Sequence, residues 1–221
     1  MKKFMLFAFA ALCVSAAQAV TYTWNSSDGA FAGFKNTNGD TVTWAGEFAI
    51  TVNFTATSTP ATVFQLLTAN GANNAGELRF NSNNWSGNTA DFATYNRNNN
   101  AAWMKTNGDF STARVESADG SKSNTIKLTF NDYNDDNNTY ASVTYDIIFA
   151  NGDQQTYTMY KQNWSENIGF GMEELAWTSI ATGEGVTINS MTLEATPVPE
   201  PTALALLALG VAGLALKRKI A

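Results

Sequence analysis

The sequence predicts an all-β protein, an antiparallel two-sheet β-sandwich or jelly roll, and three observations predict it. Between its two ends the chain is rich in Thr, Asn, Gly and aromatic residues, with few Leu, Ala or Lys in periodic array. That composition favours strands and turns over helices. Apolar and polar residues alternate with period two in several segments, the pattern of a strand with one face buried. Asn-Gly and Asp-Gly pairs, which tolerate positive φ, divide those segments as turns.

Taken from the start, Met1-Lys2-Lys3 is a positive n-region and Phe4 to Val14 an apolar h-region. Ala17-Gln18-Ala19 places small residues where a signal peptidase needs them, so cleavage is expected before Val20 and residues 1–19 form a signal peptide outside the fold. The only cysteine, Cys13, lies in this peptide behind Leu12, where a lipoprotein signal wants a small residue. No lipid anchor is expected.

Residues 20–196 follow as one β-sandwich domain, long enough at about 180 residues to bury a sizeable core. Extended segments are expected at Thr21–Trp24, Thr41–Thr57, Thr62–Thr68, Glu77–Phe80, Asp91–Tyr95, Ala101–Lys105, Ala113–Glu116, Asn124–Phe130, Tyr140–Ala150, Gln155–Lys161, Leu175–Ser179 and Val186–Ala195. In the second, Phe48, Ile50, Val52 and Phe54 alternate with Ala49, Thr51, Asn53 and Thr55; Ile126, Leu128 and Phe130 alternate likewise with Thr125, Lys127 and Thr129. Turns are expected at Asn38-Gly39, Asn70-Gly71, Asn107-Gly108, Asp119-Gly120 and Asn151-Gly152. The last of these joins the clearest hairpin, Tyr140–Ala150 with Gln155–Lys161, through a two-residue turn. In the final strand the apolar phase shifts between Ile188 and Met191, which predicts a bulge near Asn189-Ser190. About a dozen short strands separated by turn signals indicate a sandwich.

Composition also removes chemistries. The mature part has no Cys and no His, so disulfides, Cys/His zinc sites, Cys nucleophiles and any Ser-His triad are unavailable. Of thirteen Lys and Arg, five lie at the two ends and leave eight; of nineteen acidic residues all but Glu200 remain, leaving eighteen and a net charge of −10 over 20–198. That charge argues against nucleic acid or anionic lipid as the mature partner.

Asp132, Asn134, Asp136 and Asn138 are spaced like the first oxygen ligands of a calcium loop, but Asn137 stands where that loop wants Gly and Val143 where it wants Glu. The other reading is a polar turn ahead of the Tyr140 strand. Six Trp occur, at 24, 44, 85, 103, 164 and 177. Trp44 and Trp177 are expected in the core. Trp85 and Trp164 sit in polar, loop-like surroundings, where an exposed indole stacks on a sugar ring while nearby Asn and Asp bond its hydroxyls, so they are the candidate carbohydrate-binding residues. A glycoside hydrolase would have to rest on carboxylates alone. The neighbours Glu173 and Glu174 face opposite ways on a strand, and a distant pair such as Glu77 with Glu173 is not readable, so the acids are taken as solvated surface and no enzyme is expected.

At the far end Val198-Pro199-Glu200-Pro201 precedes an apolar run, Ala203 to Leu216, and then Lys217-Arg218-Lys219. Each Pro disfavours helix in the residue before it, so the chain is extended ahead of the run. A helix over 202–216 follows, its fourteen apolar residues covering about 21 Å, short of the ~30 Å hydrocarbon core. The basic stop belongs on the cytoplasmic side, which leaves everything before Pro199 outside. This order of motif, short apolar segment and basic end, over residues 197–221, resembles the PEP-CTERM sorting signal of Gram-negative bacteria. The resemblance implies a membrane-embedded exosortase that recognises the Pro-Glu-Pro motif, removes the tail and passes the protein to the cell surface or an extracellular polysaccharide matrix. Strand count, length and aromatic-Asn texture loosely resemble the concanavalin A-like or laminin-G-like sandwich; no motif stands behind that likeness, so no family site residues carry over.

The expectation is an exported protein, inserted in the inner membrane through its C-terminal helix and then anchored or released at the surface. Its expected role is structural or adhesive and non-catalytic, with a lectin-like carbohydrate-binding module as the alternative and a glycoside hydrolase as the third reading. No cofactor is expected, calcium at Asp132, Asn134 and Asp136 apart.

Overall fold

Four residues of one segment set the layering: Phe48, Ile50, Val52 and Phe54 turn to one side of an extended backbone, and all four are buried. A strand that buries one face must meet a second layer, and here that layer is another sheet. The computed structural model describes residues 18–58, 60, 62–68, 77–81, 91–95, 101–105, 115–117, 119–135, 138–162 and 176–197.

In chain order the strands are β1 (Val20–Asn25), β2 (Trp44–Ala56), β3 (Thr62–Thr68), β4 (Glu77–Asn81), β5 (Asp91–Tyr95), β6 (Ala101–Lys105), β7 (Ser123–Asp135), β8 (Asn138–Ile148), β9 (Gln154–Gln162), β10 (Trp177–Thr182) and β11 (Val186–Pro197). A short 3-10 turn, Ser26–Asp28, follows β1, its first backbone N–H groups capped by the Asn25 and Asp28 side chains. The strands form a six-stranded sheet ordered β1-β11-β2-β7-β8-β9 and a five-stranded sheet ordered β10-β3-β4-β5-β6. Every neighbouring pair is antiparallel.

Aromatic side chains fill the space between the sheets. Phe54 of the six-stranded sheet meets Phe64 and Phe80 of the other at ring-centroid distances of 6.0 and 6.3 Å. Trp44 and Trp177, both fully buried, cross edge to face at 5.0 Å, and Phe48 meets Trp177 at 5.6 Å. Edge-to-face pairs of this kind add to the burial of two large apolar surfaces. Both tryptophans expected in the core are there.

The expected bulge is also present. The β11/β2 register shifts between Ile188 and Ser190, leaving Asn189 without a partner on β2. The extra residue lets Ile188 and Met191, three apart, both face the core.

Three expectations need correction. The Asn151-Gly152 hairpin closes with three loop residues: Gly152 N–H donates to Phe149 O (2.8 Å), Phe149 N–H donates to Asp153 O (2.9 Å), and Gly152 has φ 91°. That is a turn followed by a left-handed Gly, a standard alternative to the two-residue loop. Strand β7 runs to Asp135, five residues beyond the apolar alternation that ends at Phe130. Around the expected strand Ala113–Glu116, residues 115–117 are not strand, and Val115 is buried instead against the core. The turns at Asn70-Gly71 and Asn107-Gly108 lie outside the described residues.

Candidate functional site

The C-terminal strand leads directly to the sorting segment. Strand β11 is internal, held by β1 on one side and β2 on the other. It carries its apolar residues, Val186, Ile188, Met191, Leu193 and Ala195, into the core. Its last residue, Pro197, still pairs with Trp44 across a register shift after Ala195. A proline cannot donate to the ladder, so pairing ends there. Among the described residues, β11 therefore ends at Pro197, the residue before Val198. Val198, Pro199, Glu200, Pro201 and the basic residues Lys217, Arg218 and Lys219 lie outside the described residues.

The first strand, β1, lies beside this end of β11. Val20, the first residue of β1, pairs with Ala195. Its side chain is 42% exposed. Of the expected cleavage residues, Ala19 is described and exposed, while Ala17 lies outside the described residues. Behind them Tyr22, opposite Leu193, packs against the core, and burial pushes its phenol pKa up. Among the described residues, no helix is long and apolar enough to cross a membrane.

The outer face of the six-stranded sheet is a polar array. One row across all six strands reads Thr23, Thr192, Thr51, Lys127, Asp146 and Thr156. Hydroxyls and amides bond along and between rows: Thr156 donates to Asp146 (2.7 Å), Thr125 to Asn53 (2.6 Å) and Asn53 to Ser190 (3.0 Å). Lys127 Nζ lies 3.5 Å from Glu194 Oε1, and with both side chains well exposed this pair adds little stability.

The outer face of the five-stranded sheet has a different character. On β4, Leu78 and Phe80 are buried, so the half-buried Arg79 between them lies on the face turned away from the core. Its row continues through Ala181, Gln65, Arg79, Ala93 and Trp103. Sequence reading missed this row, because it depends on the register of four strand pairs. The signal available was Arg in the middle of the short apolar strand Glu77–Phe80.

Trp85 and Trp164 lie outside the described residues. The described strand ends that flank them lie apart: β4 and β5 meet at Asn81 and Asp91, at the same end as Thr62, whereas β9 ends at Gln162 alongside Tyr140, at the opposite end. Glu173 and Glu174 also lie outside the described residues.

For the calcium candidates, Asp132 and Asn134 belong to β7, paired with Ala141 and Thr139. The hairpin closes between Asp135 and Asn138, and Asp136 lies outside the described residues. Alternate residues of a strand are separated by about 6.6–6.8 Å along one face, whereas a calcium loop curls its ligands round the ion. Among the described residues, no group of three or more His, Cys, Asp or Glu gathers to hold a metal.

A polar turn is built around Asp119. Its carboxylate accepts from the Ser121 N–H and the Ser117 hydroxyl, both at 2.9 Å. Those bonds from Ser121 and Ser117 lower its pKa to about 2.

Several solved structures are similar to this chain. A structure of peanut lectin with a 9mer peptide matches at 11% identity, TM-score 0.42, covering 83% of this chain and 100% of the lectin. The metal-free form of lectin I-B4 from Griffonia simplicifolia matches at 10% identity, TM-score 0.42, covering 82% and 94%. CBM40 of the Ruminococcus gnavus IT-sialidase, bound to alpha2,3 sialyllactose, matches at 12% identity, TM-score 0.36, covering 87% and 94%. Likeness at this level says nothing about what the chain binds. No curated protein matches. One family model does, over residues 197–219: the chain carries a PEP-CTERM protein-sorting motif, a signal for export and membrane-associated sorting.

Proposed function

We propose that this chain is an exported, non-catalytic structural or adhesive protein of the cell surface or extracellular matrix. A signal peptide over 1–19 starts its export. The helix over 202–216 holds it briefly in the inner membrane, and an exosortase-type enzyme acts at Val198–Pro201. The observation that carries this reading is the junction at Pro197. The last strand described runs to Pro197, where the matched sorting motif begins, which supports a folded cargo followed directly by an address. The polar rows on the six-stranded sheet support an adhesive role, because an open face of hydroxyls and amides bonds to other hydroxylated surfaces, polysaccharide among them. Deleting the exosortase of the source cell and following the protein by fractionation tests the route. The reading predicts that the protein then stays in the inner membrane with its tail intact. Unchanged delivery to the surface would overturn it.

The second reading, a carbohydrate-binding module, is supported by the register that aligns Gln65, Arg79 and Trp103 in one row of the five-stranded sheet. Amide, guanidinium and indole are the groups that bond and stack on a sugar. Glycan-array binding lost in Arg79→Ala and Trp103→Ala, with Trp85→Ala and Trp164→Ala as companions, would favour it. Absence of binding by the unaltered protein would exclude it.

A further inference from the structure

The two ends that the export reading places in the membrane leave the sandwich side by side. Val20 and Ala195 are paired on adjacent antiparallel strands, roughly 4.8 Å apart, and Ala195 pairs in turn with Phe48 on β2. The same end of the sheet holds Trp44, paired with Pro197, and the close of the β7/β8 hairpin at Asp135 and Asn138. The opposite end holds the turns at 183–185 and 149–153 and the Asp119 turn.

Lengths then exclude the inverted orientation. From Pro197 to Thr202 are five steps, at most about 18 Å of extended chain. From Val20 back to Val14 are six, at most about 22 Å. Strand β11, with twelve residues, is about 37 Å long. Neither stem reaches from the bilayer to its own strand past the length of the sandwich. We infer that the membrane-held precursor stands on the end formed by Val20, Trp44 and Pro197, with the turns at 149–153 and 183–185 directed away from the bilayer. The inference rests on the export reading above, since it needs both ends in one membrane. It also means that β1 and β11 can pair before either end is cut, because the anchors impose no strain on the ladder. The turn end is then the surface that a partner outside the membrane meets first.

Cys13 is the chain's only cysteine, so a Cys13→Ser background accepts a single new label cleanly. Thr21 and Glu184 are both exposed. Thr21 pairs with Glu194, eight steps along β11 from Val186, which puts the two label sites at least about 25 Å apart along the strands. The full-length chain carrying Thr21→Cys or Glu184→Cys is labelled with a fluorophore. It is then reconstituted into phosphatidylethanolamine/phosphatidylglycerol vesicles containing a headgroup-nitroxide lipid. The expected result is co-flotation with the vesicles and several-fold stronger quenching at position 21 than at 184. Flotation with equal or reversed quenching overturns the orientation alone. Failure to float overturns the membrane reading of the ends, and the orientation with it.

Discussion

Asn124 offers the sharpest test of how the sandwich holds its turn end together. It is 1% exposed, at the start of β7, and its side chain serves two distant segments. Nδ2–H donates to Val115 O and Oδ1 accepts from Ala150 N–H, both at 2.9 Å. Asn124→Ala orphans a buried carbonyl and a buried amide at once. At about 1–3 kcal/mol for each unsatisfied group, the loss should be about 3 kcal/mol. For a domain of this size that is a fall in Tm of roughly 6–12 °C. Urea unfolding followed by tryptophan fluorescence measures it, since Trp44 and Trp177 report the core directly. Asn124→Asp adds a second arm. It keeps the acceptor for Ala150 but loses the donor to Val115, and buries a carboxyl whose pKa is raised above its unfolded value. The folded state then binds more protons than the unfolded one, so this variant loses stability as pH rises and regains it in acid, where the protonated acid donates again. A loss below about 1 kcal/mol in Asn124→Ala would refute the clamp, because two orphaned groups cannot cost so little unless water replaces the side chain.

Three further predictions follow from separate features. Deleting Asn189 should be tolerated, because it removes only the residue without a partner on β2, while deleting Thr192 should prevent folding by turning Met191 or Leu193 outward; a similar loss from both would contradict the bulge assignment. Carboxyl NMR should give Asp119 a pKa of about 2 against an ordinary 3.8. Since the folded value is the lower, its contribution to stability is present above about pH 4 and is lost as pH falls toward 2, and Asp119→Asn should remove that part of the acid dependence. Gly183→Ala should destabilise the β10/β11 corner, because the new Cβ would run into Pro60 and the Thr62 backbone carbonyl; a variant that melts with the unaltered protein would show that the corner yields.

How much of this was legible depended on how local each feature is. The alternation through Phe48 to Phe54 announces its strand because burial of one face writes a period of two into a single segment. The shift at Asn189 was equally readable, since a bulge displaces that same pattern by one residue. The polar end of β7 was not. Asn131 to Asp135 have no apolar alternation and extend only because residues 138–142 pair with them, so the sequence there suggested a loop with calcium-like spacing. Val115 misled in the other direction, an apolar residue that fills the core from outside any strand. The sorting tail was readable throughout because its signal is short and contiguous. The Gln65, Arg79 and Trp103 row was hidden because no single segment contains it.

The most direct test of the central claim, that this is a folded cargo joined at Pro197 to a sorting address, is the intact mass of the protein recovered from the surface of its own cells. The account predicts a chain that begins at Val20 and ends within or just after Val198–Pro201, with the apolar run and Lys217, Arg218 and Lys219 removed. A chain recovered from the cytosol with both Met1 and Ala221 in place would contradict it.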